Sequence, residues 1–236
     1  MRRIVFATGN EDKMREVREI MKDTGFEVVS MREAGIKTDA VENGSSFTEN
    51  AVIKARAVAS LIDDYVMADD SGLVIDALGG EPGIYSARYM GTETSYRVKN
   101  RNLIERLRDT QEIRRTARFV CAIALVEPDG DVYNFEGSID GRIGYAEAGR
   151  GGFGYDPIFF ISYDDALNAL ISGGLSEKEA IPEADNMAAE AMRIHAVTPV
   201  MNGWISTAQL PEKAKNAVSH RGRALLAARA QLGGLL

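Results

Sequence analysis

An apolar run that ends abruptly in two adjacent carboxylates constrains this chain more than any other feature. Residues Tyr65 to Ala68 are apolar, and Asp69, Asp70, a serine and a glycine follow at once. Because unpaired buried charge is costly, a buried strand has no structural use for two neighbouring acids. The pattern predicts a strand that brings the acids to an edge of a sheet, where they bind a hard cation such as Mg²⁺ or accept a proton. The alternative is an Asp-Asp-Ser-Gly turn that caps the next element.

Length and composition limit the class of protein. The chain has 236 residues, 45% of them hydrophobic and 27% charged, which suits one large globular domain or two lobes around a shared core. The net charge of −7 argues against direct binding to nucleic acid or to an anionic membrane. No stretch approaches the ~20 apolar residues of a membrane span. Because the first residues are already strand-like, we expect no signal peptide. We therefore expect a cytoplasmic protein, with the single cysteine, Cys121, in the core.

Hydrophobic periodicity predicts an α/β protein. The first strand, helix and second strand are expected at 2–8, 11–23 and 26–30, and a helix with a Ser46–Glu49 capping box is expected at 47–62. Further along, the pattern predicts a polar helix at 94–108, strands at 118–127, 132–138 and 141–147, helices near 164–171, 176–180 and 183–195, and a final helical stretch that carries Lys215.

Two segments in the first quarter of the chain suit an anion and a cation. Residues 8–13, Thr-Gly-Asn-Glu-Asp-Lys, lie where the first strand becomes the first helix, and free N–H groups and the helix dipole bind anions there. A plain turn with a solvated lysine is the alternative. Glu42 lies in the loop before the next helix and can join Asp70 around a cation. Lys54 on that helix reaches either a ligand or solvent.

Three later segments suit an aromatic or anionic ligand. Four glycines within 149–154 allow close approach to a ligand, Phe153 can stack on a flat ring, and Asp156 can accept hydrogen bonds from ring N–H groups. A bulged turn with a buried phenylalanine explains this segment slightly better if it is taken alone. Arg88, between two tyrosines, suits either phosphate binding or a structural ion pair. The basic residues around Lys215 and 219–221 form either a second cationic cluster or a plain basic helix end.

Together these segments resemble the inosine/xanthosine triphosphate pyrophosphatase family, which removes non-standard purine nucleotides. The resemblance covers residues 1–161 and about 207–226. It rests on six blocks in the family's order: Thr8-Gly-Asn-x-x-Lys13, Glu42-x-Gly-x-Ser-Phe-x-Glu-Asn-Ala-x-x-Lys54, Ala68-Asp-Asp-Ser-Gly-Leu73, Gly79-Gly-x-Pro-Gly-Ile-Tyr-Ser-Ala-Arg-Tyr89, Gly152-Phe-Gly-Tyr-Asp-Pro-Ile-Phe159 and Ser219-His-Arg-Gly222.

The resemblance implies an elongated, two-lobed α/β fold, with a central mixed β-sheet flanked by helices and a cleft between the lobes. It also implies a homodimer and a Mg²⁺-dependent reaction in which a purine nucleoside triphosphate and water give the monophosphate and pyrophosphate. Glu42 and Asp70 are the implied metal ligands, Asp70 is also the base for the attacking water, and Lys13 and Lys54 assist catalysis. The implied substrate-binding residues are Thr8, Gly9, Asn10, Lys13, Ser71, Arg88, Phe153, Gly154, Tyr155, Asp156, Lys215, His220 and Arg221.

The chain departs from the resemblance at about 162–206. Between Phe160 and Lys215 lie 54 residues, where the family normally has about 20, so we expect a single domain, 1–236, with a helical insertion. The insertion is expected to be a surface excursion, with a lid or an oligomer contact as the alternatives, and His195 and Trp204 are expected to pack. Two other functions stay open: a Maf-like pyrophosphatase for pyrimidine or methylated nucleotides, and a nucleotide-binding module without catalysis.

Overall fold

The structure is a computed structural model that describes residues 2–38, 40–194 and 203–233. In this part of the chain, seven strands form a mixed sheet in the order β2-β1-β3-β4-β5-β6-β7. β1 is parallel to β2 and β3, whereas β6 is antiparallel to β5 and β7. The strands are β1 Arg2–Phe6, β2 Phe26–Ser30, β3 Tyr65–Ile75, β4 Thr116–Val126, β5 Val132–Ile143, β6 Phe159–Ser162 and β7 Trp204–Ser206.

Seven α-helices lie within the described residues. They are α1 Glu11–Ile20, α2 Phe47–Ala59, α3 Tyr96–Arg106, α4 Tyr163–Ser172, α5 Glu177–Ile194, α6 Glu212–Val218 and α7 His220–Gly233. None of them combines the length and the apolar composition that crossing a membrane requires. The predicted α/β class and the predicted strand–helix–strand start are confirmed.

The largest differences from the predicted elements concern β3, β5 and α5. β3 does not end at Asp69 but continues to Ile75, so the capping-turn alternative fails. The strand predicted at 132–138 and the first residues of the strand predicted at 141–147 form the single strand β5, which ends at Ile143. Its residues alternate between more and less exposed positions. The helices predicted at 176–180 and 183–195 are one helix, α5, with Pro182 inside it. His195 lies outside the described residues.

The chain divides into two compact units. Unit 1 comprises Met1–Ser71, Val120–Ser138 and His220–Leu236, and unit 2 comprises Gly72–Phe119 and Ile139–Ser219. In unit 1, successive residues of β1 face opposite sides of the sheet. Ile4 and Phe6 pack with α1, α7 and the buried Cys121, whereas Val5 packs with α2. Burial raises the pKa of the Cys121 thiol to about 12.

The core of unit 2 includes the helices of the predicted insertion. Ala166, Ala169 and Leu170 of α4 and Ala180 and Ala184 of α5 are buried in one apolar cluster. The same cluster contains side chains of β3, β4 and β6. A surface excursion would leave these faces exposed, so α4 and α5 are structural parts of unit 2. Trp204 packs as expected, because it is half-buried and the Arg142 guanidinium lies 4.5 Å from its ring centroid.

Candidate active site

Strand geometry separates the two acids of β3. Neighbouring residues of a strand point to opposite faces of the sheet. Asp69 lies on the face of Met67, towards α1 and α7, and Asp70 lies on the face of Ala68, towards α2. The Asp69 and Asp70 residues are 1% and 7% exposed, so each acid requires partners of its own.

Asp69 is bound on both carboxylate oxygens. Lys13 Nζ lies 3.0 Å from Asp69 Oδ1 and 2.9 Å from Oδ2, and Arg221 Nε donates to Oδ2 at 3.1 Å. Burial alone would raise the pKa of Asp69, but the positive charges of Lys13, Arg221 and Lys54 outweigh it and hold the pKa well below its ordinary value. Asp69 is therefore ionised at neutral pH and anchors two cations.

The Arg221 guanidinium is engaged at all three of its nitrogens. Besides its bond to Asp69, it donates from NH1 to the Glu16 carboxylate and from NH2 to Ser71 Oγ at 3.0 Å. The Arg221 residue is only 2% exposed. Burial opposes its charge, yet the neighbouring carboxylates of Asp69 and Glu16 raise its pKa further above its ordinary value. The geometry directs this arginine inward to Asp69, and its predicted contact with substrate stays a prediction.

Asp70 has a different environment on the opposite face. Asn50 Nδ2 donates to Asp70 Oδ2 at 3.1 Å, and Lys54 Nζ lies 3.4 Å from Oδ1. Lys54 also binds Glu42 Oε1 at 3.2 Å, so one ammonium group joins two carboxylates. Burial raises the pKa of Asp70 above its ordinary value, and the opposing effects of Lys54 and Asn50 do not cancel it. A carboxylate with a raised pKa is a stronger base.

Helix α2 positions the partners of Asp70. Asn50 and Lys54 are four residues apart on one helix face, as predicted. Ser46 caps the helix by accepting from Glu49 N at 3.1 Å, which confirms half of the predicted capping box. The Glu49 carboxylate returns to Ser45, where it accepts from the backbone N at 2.6 Å and from the hydroxyl at 2.8 Å.

The start of α1 is less open to an anion than the sequence predicts. Asn10 is the N-cap, and its Oδ1 accepts from Asp12 N at 2.9 Å and Lys13 N at 3.2 Å. Asn10 N in turn donates to Thr8 Oγ1 at 3.2 Å. Two helix N-terminal amides are thus already bound. Gly9 is exposed beside them and leaves open space for a ligand.

The donor chemistry around Asp70 fits a hard cation. Within residues 2–38, 40–194 and 203–233, no group of three or more His, Cys, Asp or Glu side chains could enclose a metal. Mg²⁺, however, is commonly held by one or two carboxylates together with water and substrate phosphates. Glu42 and Asp70 offer such a pair, because both lie within 3.4 Å of Lys54 Nζ. Asp69 is less suited, because two cations, Lys13 and Arg221, already compensate its charge. The oxygens of Asp70 contact one cation, Lys54, and one neutral amide.

In unit 2, a second cluster is built around the buried Asp156. Its Oδ2 accepts from Phe153 N at 2.8 Å and from Lys215 Nζ at 2.8 Å, and its Oδ1 accepts from the Thr207 hydroxyl at 3.1 Å. Lys215 Nζ also lies 4.4 Å from the centroid of the Phe153 ring. The structure thus brings together three residues that the sequence assigned to a base pocket.

Gly152 allows the loop to close around this carboxylate. Its φ of +67° is left-handed, and a Cβ at this position would meet Asp156 Oδ2 at 2.4 Å. Next to the loop, Tyr155 is buried and donates its hydroxyl to Ser86 O at 2.8 Å. The phenol of Tyr155 therefore braces the loop from inside the unit.

The other predicted residues lie around these clusters. The Arg88 guanidinium lies 5.1 Å from the Tyr85 ring centroid in unit 2. His220 is buried at the first position of α7 in unit 1. Gly137 on β5 lets this helix start approach the strand, because a Cβ there would meet His220 O at 2.2 Å. Ser71 contacts both Asp69 and Arg221.

The sequence interpretation missed two functional side chains. Glu16 is 3% exposed and binds Arg221. Its position three residues after Lys13, next to the apolar Val17, was a usable signal that it belongs to the buried face of α1. Thr207 contacts Asp156 from 51 residues away, and no local pattern marks it.

Comparison with known proteins fits this geometry. The sequence model of the Ham1 family matches residues 4–182, which is more than half of the chain. The chain belongs to the Ham1 family. Membership in the Ham1 family confirms the resemblance found in the sequence.

Curated Ham1 relatives are similar over most of the chain. A dITP/XTP pyrophosphatase of Geobacter sulfurreducens is 39% identical over 233 residues, with 99% of this chain and 98% of the relative covered. A dITP/XTP pyrophosphatase of Bacillus subtilis is 39% identical over 178 residues, covering 75% and 90%.

Two solved Ham1 structures share the fold. The Ham1 protein of Staphylococcus aureus matches with a TM-score of 0.74 at 33% identity and covers 100% of both chains. A HAM1 protein of Coxiella burnetii also matches with a TM-score of 0.74, at 31% identity, covering 99% of this chain and 100% of that one. These structures confirm the mixed-sheet α/β fold.

Proposed function

We propose that this protein hydrolyses non-standard purine nucleoside triphosphates, namely dITP, ITP and XTP, to the monophosphate and pyrophosphate. By doing so it cleanses the nucleotide pool and prevents their incorporation into DNA and RNA. The proposal follows from membership in the Ham1 family and from relatives named dITP/XTP pyrophosphatases. The observation that carries it is the environment of Asp70, a buried carboxylate of raised pKa beside a second carboxylate and a lysine.

In this proposal Asp70 is the general base. It takes a proton from the water that attacks the α-phosphorus, and pyrophosphate leaves with the electrons of the broken P–O bond. Asn50 Nδ2 and Lys54 Nζ hold the two oxygens of Asp70, which orients the carboxylate towards that water. Lys54 remains protonated, because the surrounding acids raise its pKa although burial alone would lower it.

The triphosphate requires positive charge, because negative charge grows on its oxygens as the leaving group departs. In unit 1, Lys13 and Lys54 supply that charge, and Thr8, Gly9 and Ser71 add hydrogen-bonding groups. Glu42 and Asp70 would hold Mg²⁺, which when bound neutralises phosphate oxygens and orients them. The Lys13 ammonium is oriented by Asp69, whose two oxygens it contacts.

The unit 2 cluster accounts for nucleobase recognition in the proposal. Phe153 offers an aromatic face, and Lys215, fixed by Asp156, offers N–H donors to the 6-oxo group of hypoxanthine or xanthine. A site built on such hydrogen bonds rejects a base that cannot make them by several orders of magnitude. Adenine carries an amine at that position and is therefore refused.

The test is pyrophosphate release with Mg²⁺ from dITP, ITP and XTP against ATP, GTP and TTP. We expect strong preference for the 6-oxo purines without a 2-amino group. Asp70→Asn should lose about 10²- to 10⁴-fold in kcat. The exposed Asp140→Asn on β5 is the matched control and should keep full activity.

Three results would contradict the proposal. Tight binding without turnover by folded protein would favour a nucleotide-binding module. Preference for TTP or UTP would favour a Maf-like activity. Pyrophosphate release by Asp70→Asn at the rate of wild type would show that Asp70 is not the base.

Homodimer formation and a cytoplasmic location are also part of the proposal. Four large apolar side chains within one segment of unit 2, Tyr85, Met90, Tyr96 and Val98, are 39–57% exposed and offer a surface for a second copy. Light scattering that gives the mass of one chain, 25.7 kDa, would contradict the dimer. The proposed substrates belong to the cytoplasmic nucleotide pool, and the negative net charge argues against nucleic acid as a partner.

A further inference from the structure

The N-terminal half of α3 in unit 2 carries buried polar side chains that the proposed mechanism does not use. Asn100 is 1% exposed, and its Nδ2 donates to Glu147 Oε1 at 2.9 Å and to Gly154 O at 3.3 Å. Glu147 and Gly154 lie at the two ends of the glycine-rich loop 147–154. One amide group therefore ties both ends of this loop to a helix.

The residues beside Asn100 hold a second loop to the same helix turn. Lys99 is also 1% exposed, and its Nζ donates to Ala87 O at 2.7 Å and lies 4.9 Å from the Tyr96 ring centroid. The Tyr96 ring meets Tyr155 edge-on with 5.1 Å between centroids. It also lies 3.6 Å from the position that a Cβ of Gly154 would occupy.

Burial of the Asn100 amide and the Lys99 ammonium does not by itself stabilise the fold. Among the residues that the structure describes, Asn100 Oδ1 is buried without a hydrogen-bond partner, and Lys99 forms no ion pair with a carboxylate. Burial lowers the pKa of Lys99 for that reason. An apolar residue at either position would avoid the desolvation cost. What the polar side chains add is fixed positions for the backbone carbonyls that they bind.

The loop that Asn100 fixes leads directly to the proposed base-recognition residues. Gly154 follows Phe153, and the turn is closed by two hydrogen bonds, from Phe153 N to Asp156 Oδ2 at 2.8 Å and from Asp156 N to Phe153 O at 3.2 Å. Asp156 in turn holds Lys215. A shift of Gly154 would therefore move both the aromatic face and the ammonium group.

We infer that Asn100 is a positioning residue for nucleobase selection, acting through its hydrogen bonds to Gly154 and Glu147. The inference rests on the proposed function, because it takes the Phe153–Asp156 loop as the base-recognition element. Asn100 touches no reacting atom. It sets where the loop presents its groups, and so how well a 6-oxo purine is distinguished from adenine.

The experiment compares wild type and Asn100→Ala with dITP and dATP as substrates and inorganic tripolyphosphate as a competing inhibitor that has no base. We expect the KM for dITP to rise about tenfold and the dITP-to-dATP ratio of kcat/KM to fall about tenfold or more, because misplacement of order 1 Å is costly. The inhibition constant of tripolyphosphate should change by less than about twofold. A merely structural defect would change the KM for dITP and the inhibition constant of tripolyphosphate together.

Matched variants sharpen the result. Arg101→Ala, on the exposed neighbouring position of α3, should behave as wild type. Glu147→Gln keeps an oxygen that accepts from Asn100 and should retain selectivity, whereas Glu147→Ala should lose part of it. If Asn100→Ala does not fold, Glu147→Ala replaces it in the test. The dITP-to-dATP ratio of kcat/KM should then fall as well, but by less than is expected for Asn100→Ala.

An unchanged dITP-to-dATP ratio in Asn100→Ala would overturn the inference, and so would an equal loss of tripolyphosphate binding. Failure of the proposed function is seen separately, in the wild-type protein, as absence of dITP turnover. In that case the dissociation constants of dITP and tripolyphosphate, measured for the same variants, still test Asn100. Asn100→Ala should weaken the binding of dITP and leave that of tripolyphosphate nearly unchanged. Equal effects on the two ligands would again refute it.

Discussion

Glu16→Gln tests the buried ion network of unit 1 with a single isosteric change. Glu16 and Arg221 are 3% and 2% exposed, and the network balances two cations, Lys13 and Arg221, against the anions of Glu16 and Asp69. Glutamine removes one negative charge without changing the volume. The network is then left with an uncompensated buried positive charge, which is the costly state for an ion pair in a protein interior.

The size of the effect follows from the geometry. Breaking a buried pair by neutralising one partner costs about 3–5 kcal/mol. The amide oxygen of glutamine can still accept from Arg221 NH1, so we expect the lower end, about 3 kcal/mol. For a chain of this length, that loss corresponds to a decrease in Tm of roughly 6–12 °C.

The assay is thermal and urea denaturation of wild type, Glu16→Gln and the control Glu19→Gln. Glu19 lies one turn further along α1 and is exposed, so its change should stay within about 0.5 kcal/mol. If the two glutamine variants unfold at the same temperature, the network contributes no stability and the argument from burial and pairing is refuted.

Two further predictions concern the acids of β3. Asp69→Asn should be less stable than wild type at neutral pH. Neighbouring cations outweigh burial and hold the pKa of Asp69 low, so its contribution to stability is fully present above the ordinary carboxyl pKa and is lost as the pH falls. The difference in unfolding free energy between wild type and Asp69→Asn should therefore narrow from about pH 5 towards 2. A difference that stays constant over this range would contradict the prediction. Lys54→Met removes a charge that opposes the burial-raised pKa of Asp70, so the acid limb of kcat/KM should move to higher pH and activity at pH 7 should fall about tenfold or more. The exposed Lys22→Met is the control, and an unchanged pH profile in Lys54→Met would exclude the predicted coupling.

Much of unit 1 could be predicted from the sequence, because its signals are local. The alternation of strand and helix from residue 2 to 59 follows from apolar periodicity, and the Ser46 cap follows from residue type. Asn50 and Lys54 share a helix face by their spacing alone, and the structure places both on Asp70. Chemistry at the acids of β3 was likewise visible, because carboxylates do not follow an apolar strand without partners.

The helices of 163–194 could not be placed from the sequence. Their amphipathic pattern predicts helices but does not say what their apolar faces meet. Only tertiary packing shows that Ala166 and Ala184 complete the core of unit 2. The continuity of β5 was also hidden, because its glycines resemble turn signals until their close contacts are known.

The sequence by itself determined the elements of unit 1 and the residue types available for chemistry, since both depend on spacing along a short stretch of chain. Tertiary structure decided which acid does what. The alternation of β3 sends Asp69 to one face and Asp70 to the other, but only packing brings Glu16 and Arg221 to the first and Asn50 and Lys54 to the second. Asp69 is thereby saturated and its pKa held low, while burial with weaker compensation raises the pKa of Asp70. Two adjacent, chemically identical side chains differ because charge compensation depends on neighbours in space and not on neighbours in sequence.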